Sequence, residues 1–332
     1  MEKEARILRV CYPNKDMHQG SLILLRFTAV AAAVLLSACA QMPIKPRNSG
    51  DMNTSYHGSS SHPIATPVTQ TMAFYDPKSQ PQLGHPVLFG SSAPTIRAAS
   101  YLLIDAETGK HLASRNAETP RAVASTQKIL TALVVLDAGN LDQKITVQAS
   151  DVRVEPTVLG LRPGDSYTRR HLLYAFLVKS CNDVANVLAR DNAGSISAFA
   201  SKMNAKARSL GCTNSQFRNP HGLTVPGQYS TARDMARIAM AAYRSPVIRD
   251  AVRRPYYTFT RRDGRTVTLK STNDLLGRMP ECNGLKTGYT NASGRCLISS
   301  ASSRGRHVIL VQLGTKTTYI WDDARLLMSW VL

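Results

Sequence analysis

Between residue 99 and the C-terminus, the spacing of apolar and polar positions changes period several times. Ala99-Ser-Tyr-Leu-Leu-Ile-Asp105 is a short apolar run with polar ends and predicts a strand; Glu107-Thr-Gly109 supplies a turn and residues 110–114 the returning strand. Residues 125–136 are apolar on most faces, through Ile129, Leu130, Leu133, Val134, Val135 and Leu136, which predicts a helix buried at the centre of a domain. The stretch 170–189 reads as helical, as do 195–210 and 231–243. Leu159-Gly-Leu-Arg-Pro-Gly-Asp165 reads as a loop. Residues 256–270 predict a hairpin turning at Asp263-Gly264, residues 283–289, 294–301 and 307–313 predict three neighbouring strands, and 322–332 predict a closing helix. Strands, then many helices, then strands joined by hairpins imply an α/β (α+β) fold. It is expected to hold an antiparallel sheet of about five strands built from both ends of the domain, flanked by helices, with an all-helical lobe inserted between.

The first ninety residues follow another pattern. Phe27-Thr-Ala-Val-Ala-Ala-Ala-Val-Leu-Leu-Ser-Ala38 is an apolar run of signal-peptide length behind Arg26. Leu36-Ser-Ala-Cys39 closes it like a bacterial lipobox, with Cys39 as the site of cleavage and lipidation. An ordinary secretory signal is the plainer alternative. Met17 offers a second start. From Gln41 to about Pro94 the chain is rich in Ser, Thr, Gln and Pro, and neither the strand nor the helix period persists. The expected organisation is a signal peptide with lipobox over 1–39, an extended or disordered tether over 40–92, and one domain over 93–332.

Charge and composition narrow the chemistry. Lys and Arg total 41 against 22 Asp and Glu, a formal charge of +19. Such a surface attracts polyanions. Export turns that attraction from nucleic acid toward anionic lipid or wall polymer. The chain has no C-x-x-C, no H-E-x-x-H, and no glycine-rich phosphate loop, which removes the commonest zinc, redox and nucleotide readings.

Three short motifs carry candidate chemistry. In Ser125-Thr-Gln-Lys128 the hydroxyl and the amine share a helix face. Burial favours the neutral amine, and a neutral amine beside a serine is a recipe for an activated nucleophile. Chance alone supplies about one S-x-x-K in a chain this long; taken singly, it reads equally as a capped helix start. Ser180-Cys-Asn182 lies at a helix end, and Lys286-Thr-Gly288 lies on a predicted strand, where glycine lets a ligand approach the backbone. Alone, each reads as a cap or a polar strand edge. The ordered trio S-x-x-K, S-x-N, K-T-G in one exported chain is far more specific.

From about Ala99 to Trp330 the chain resembles the D-alanyl-D-alanine carboxypeptidases among the low-molecular-mass penicillin-binding proteins. Leu161-Arg-Pro-Gly-Asp165, Phe217-Arg-Asn-Pro-His-Gly-Leu223, Tyr229-Ser-Thr-Ala-Arg-Asp-Met235 and Asn283-Gly-Leu-Lys-Thr-Gly-Tyr-Thr290 carry the likeness beyond the trio. The resemblance implies a β-lactamase/transpeptidase-like fold and a substrate that is a peptidoglycan stem peptide ending in D-Ala-D-Ala. It implies Ser125 as nucleophile, Lys128 as base, and the backbone N–H groups of Ser125 and Tyr289 as oxyanion hole. Ser180 and Lys286 would pass a proton to the leaving amine, and Asn182 would hold Lys128. Lys286, Thr287, Gly288 and Arg233 would bind substrate. β-Lactams would act as covalent inhibitors, and the scheme needs no metal or other cofactor.

Three features depart from the resemblance. Members commonly carry an arginine before the last helix, where this chain reads Tyr319-Ile-Trp321; Cys181 replaces the usual glycine of S-x-N; and the chain stops after the closing helix, so that a lipid on Cys39 would serve as anchor. Among Cys181, Cys212, Cys282 and Cys296, a bridge would join Cys282 to Cys296, with four buried thiols as the alternative. A class A β-lactamase is disfavoured, because Glu155-Pro-Thr-Val-Leu159 precedes S-x-N and lacks the needed Asn. A D,D-endopeptidase would use the same machinery, and a catalytically silent wall-binding lipoprotein would not need the trio.

Overall fold

The computed structural model describes residues 92–316 and 319–332; the lipobox at Cys39 and nearly all of the tether lie outside the described residues. Both ends of the domain contribute to one five-stranded antiparallel sheet. β1 (Ser100–Asp105) and β2 (His111–Arg115) come from the start, and β7 (Cys282–Thr290), β8 (Gly294–Ser303) and β9 (Arg306–Thr315) from the end. The order is β2-β1-β9-β8-β7, so β1 pairs with β9 across the whole intervening chain.

Side chains on a strand alternate between faces, and this sheet is covered on both. Leu102 and Ile104 of β1, Ile298 of β8 and Ile309 and Val311 of β9 enter the larger core, shared with the helical lobe. Tyr101, Leu103, Leu297, Val308 and Leu310 enter a second core with Ile320, Ala324, Leu327 and Met328 of α7 (Ile320–Ser329). Double coverage explains why β1 reads as a continuous apolar run.

The inserted lobe begins with α1 (Lys128–Asp137), buried from Lys128 to Val135 as its all-round apolarity predicts. Around it pack α2 (Arg169–Lys179), α3 (Asn182–Ala193), α4 (Ile196–Ser209) and α5 (Ala232–Arg244). Thr168, Ser195 and Thr231 cap α2, α4 and α5, each side chain accepting a backbone N–H three residues on. The hairpin of β5 (Tyr256–Thr260) and β6 (Thr266–Lys270) turns at Asp263-Gly264 as expected.

Several expectations need correction. The helical stretch 170–189 is two helices: Ser180 adopts a left-handed conformation (φ 67°, ψ 31°), and α3 restarts at Asn182. No glycine or proline marks this break. It is held by a tertiary contact, in which the buried Asp183 carboxylate accepts the N–H groups of Leu159, Gly160 and Leu161 at 3.0–3.3 Å. The short pair β3 (Lys144–Thr146) and β4 (Ser166–Thr168) and the helix α6 (Pro246–Val252) were not foreseen. Of the two cysteine readings the structure shows the second: Cys282 and Cys296 form no bridge, and all four described cysteines are free and buried. Cys282 faces Ala301 and Cys296 faces Gly288, so they lie near opposite ends of the β7–β8 ladder.

Candidate active site

The nucleophile candidate sits before the helix expected to carry it. Ala124–Gln127 form a 3₁₀ turn, and α1 begins only at Lys128. The turn is clamped by the segment Asn219-Pro-His-Gly222. Gln127 Nε2 donates to Asn219 O at 2.6 Å, Thr131 Oγ1 donates to Pro220 O at 2.7 Å, and Asn219 Oδ1 accepts the Gly222 N–H at 2.8 Å. Gly222 has φ +89°, and a Cβ there would lie 2.1 Å from Ala124 O, so only glycine fits.

Lys128 has no exposed surface. Its Nζ lies 2.7 Å from Ser125 Oγ, 2.7 Å from Asn182 Oδ1 and 2.6 Å from His221 O. Burial, and next the charge of Lys286, hold this amine well below the usual lysine range. A neutral amine has two N–H groups and one lone pair. In that form the two carbonyl oxygens can take the N–H groups, leaving the lone pair for the Ser125 hydroxyl, which also lies 3.2 Å from His221 O. Asn182 is fixed in turn, its Nδ2 donating to Pro156 O at 2.5 Å and its backbone N–H to Thr157 O at 2.8 Å.

β7 forms the facing wall. It is an edge strand, so alternate backbone groups point off the sheet. A Cβ on Gly288 would lie 2.8 Å from Ser125 N and 2.9 Å from Thr126 N, which shows how closely the strand passes the turn. Lys286, on the same face of β7 as Gly288, is buried, its Nζ donating to Thr287 O at 3.1 Å. Burial lowers its pKa to about 7. Thr287 Oγ1 lies 2.5 Å from Thr272 Oγ1.

The cleft between turn, lobe and strand has a volume of about 290 Å³. Ser125, Ser180, Thr287, Gly288 and Tyr289 line it, joined by Pro156, Thr157, Thr272, Arg295, Cys296, Ile320 and Trp321. The three motifs, far apart in sequence, thus meet at one place. Cys181, between Ser180 and Asn182, is fully buried, and burial pushes its thiol up to about 12, so it is an inert packing group.

Arg233 is not among the lining residues. It sits in the first turn of α5, where its side chain pairs with Glu118 and its backbone N–H donates to Ala117 O. The His221 carbonyl was missed, because a main-chain acceptor leaves no trace in residue type. Thr272 and Arg295 were missed because each belongs to the cleft through its strand or loop neighbours rather than through a motif.

A two-faced antiparallel sheet, an inserted helical lobe and a serine–lysine pair at their junction define a serine-type hydrolase. A sequence profile described as D-alanyl-D-alanine carboxypeptidase, peptidase family S11, matches residues 88–317. D-alanyl-D-alanine carboxypeptidase DacB2 of Mycobacterium tuberculosis is 36% identical over 245 residues, covering 71% of this chain and 83% of that one. A D-alanyl-D-alanine endopeptidase of Escherichia coli K12 is 34% identical over 250 residues, covering 73% and 79%. The crystal structure of a D-alanyl-D-alanine carboxypeptidase from M. tuberculosis H37Rv superposes with a TM-score of 0.71 at 33% identity, covering 74% of this chain and 95% of that one. The chain belongs to the D-alanyl-D-alanine carboxypeptidase family, in agreement with the resemblance its motifs carry.

Proposed function

We propose that this serine-type D-Ala-D-Ala carboxypeptidase removes the terminal D-Ala from peptidoglycan stem pentapeptides through an acyl-enzyme on Ser125. Lys128 takes the hydroxyl proton as Ser125 Oγ attacks the penultimate D-Ala carbonyl carbon. The N–H groups of Ser125 and Tyr289 stabilise the oxyanion that forms. Ser180, with Lys286 behind it, relays a proton to the departing D-Ala amine as the peptide C–N bond breaks. Thr287 binds the terminal carboxylate, and Gly288 keeps the strand close enough for the substrate to lie along it. Water then hydrolyses the ester and restores Ser125. β-Lactams acylate the same oxygen and leave slowly.

The observation that carries this reading is the contact of 2.7 Å between Ser125 Oγ and a fully buried amine that also meets Asn182 Oδ1 and the His221 carbonyl. The N-terminal pattern supports export and a lipid anchor at Cys39 on the periplasmic face of a membrane, with the tether letting the domain reach the wall.

The reading is tested by incubating the protein with a stem pentapeptide and assaying free D-alanine. Release is expected from the wild type and not from Ser125→Ala, which also loses covalent labelling by a fluorescent penicillin. Labelling that persists in Ser125→Ala removes the nucleophile. Cleavage of cross-linked dimers without D-alanine release assigns the same machinery to an endopeptidase.

A further inference from the structure

We propose that Arg295, on β8, is the cation that recognises the substrate's C-terminal carboxylate and so makes the site specific for a free peptide end. The inference rests on the D,D-peptidase reading of the cleft and adds a residue to it that no motif marks.

Of the residues lining the cleft, Arg295 alone carries a permanent positive charge, and none is acidic. Three other cations named for the site are committed elsewhere, and Arg121 donates its Nε to Ser100 Oγ. Lys128 is engaged by Ser125, Asn182 and the His221 carbonyl, Lys286 is buried with its Nζ on Thr287 O, and Arg233 is paired with Glu118 and does not line the cleft. Arg295 makes no ion pair with any described residue. Its Nε is buried and has no hydrogen-bond partner among them. The contact it does make is with the Tyr289 ring, its Cζ lying 5.2 Å from the centroid. A buried N–H left without an acceptor is costly, and a carboxylate is the acceptor whose geometry fits a guanidinium fork.

Register places this charge beside the threonines. Arg295 faces Tyr289 directly across β7–β8, and Thr287 faces Leu297, so Arg295 and Thr287 are diagonal neighbours on one face of the ladder. Diagonal positions lie within reach of a long side chain. Thr287 and Thr272 place two hydroxyls next to each other at that position. Hydroxyls plus one unpaired guanidinium, facing an apolar wall of Ile320 and Trp321, make a pocket for a single anion at the end of an extended peptide.

The test compares two peptides ending in D-Ala-D-Ala, one with a free carboxylate and one with a C-terminal amide. It uses the wild-type chain, Arg295→Gln and Arg295→Lys, with a penicillin and its carboxylate ester as acylating probes. Wild type is expected to prefer the free carboxylate and the free penicillin. Arg295→Gln should lose roughly 10- to 100-fold in kcat/KM on the carboxylate peptide, chiefly through KM, with little change on the amide or the ester. Arg295→Lys should fall between. Arg295→Met, which keeps the stem over Tyr289, repeats the measurement if Arg295→Gln fails to fold. An Arg295 variant that keeps the wild-type ratio of carboxylate to amide overturns the assignment and leaves the peptidase reading standing. A wild-type protein that neither releases D-alanine nor is acylated by either penicillin overturns both.

Discussion

An amine with no exposed surface has to lose its charge or find an anion, and Lys128 has no ion-pair partner among the described residues. Its neighbours are a hydroxyl, an amide oxygen and a carbonyl, none of which carries the negative charge that would hold an ammonium. A second buried amine, Lys286, adds its repulsion. Lys128→Ala should therefore lower the rate of Ser125 acylation by about 10²–10⁴-fold while the fold persists, as read from penicillin labelling alongside circular dichroism. In the wild type the rate should fall as acid protonates the amine. His221 contributes its carbonyl to this cluster, not its ring, whose pKa is lowered to about 3 by burial and then by Lys128. His221→Gln should consequently keep the acid limb, and a limb that vanished with the imidazole would assign the titration to His221 instead.

At the scale of elements, precision comes from close approach of backbones. The 3₁₀ turn carrying Ser125 is wedged between the segment at Gly222 and strand β7 at Gly288. Neither contact leaves room for a Cβ. Gly288→Ala would place a methyl 2.8 Å from Ser125 N, so the strand and the turn have to part by several tenths of an ångström. Displacements of this size at a reacting centre are expensive, and Gly288→Ala should cost acylation roughly 10²-fold. Because the nearest atoms the methyl meets are main-chain, the melting temperature should drop as well. A variant that acylates at the wild-type rate would show that the strand need not lie so close. The break between α2 and α3 works in the same way. Asp183 ties the loop at Leu159–Leu161 to the start of α3, and that tie fixes the turn presenting Ser180 to the cleft and Asn182 to Lys128.

Over the whole molecule, the site costs stability that can be read from pH. Lys286 titrates near 7 when folded and near its ordinary 10.5 when unfolded. Between those values the unfolded chain binds the extra proton, so this group makes stability rise with pH, by up to about 1.4 kcal/mol per pH unit. Below pH 7 the penalty is fully present, the reverse of a lysine that gains an anionic partner on folding. Lys286→Met, similar in volume and uncharged, should flatten the pH 7–10 part of the stability curve and raise the melting temperature near neutrality while abolishing turnover. Equal slopes in variant and wild type would show that Lys286 is charged in the folded state.

Much of this molecule was legible from residue order. Apolar runs bounded by turn residues located the five strands of the sheet and the buried helix α1, because burial on both faces of an element leaves its sequence apolar throughout. Ordered motifs named Ser125, Lys128, Ser180, Asn182, Lys286, Thr287 and Gly288, because their chemistry depends on residue type. Other features were legible only in three dimensions. The left-handed break at Ser180, the His221 carbonyl under Lys128, the pairing of Arg233 with Glu118 and the arrival of Arg295 in the cleft all depend on what a residue meets across the fold. Local pattern reports which face of an element is buried. It carries no record of main-chain acceptors, of partners more than a hundred residues away, or of whether a charge has been neutralised by its surroundings.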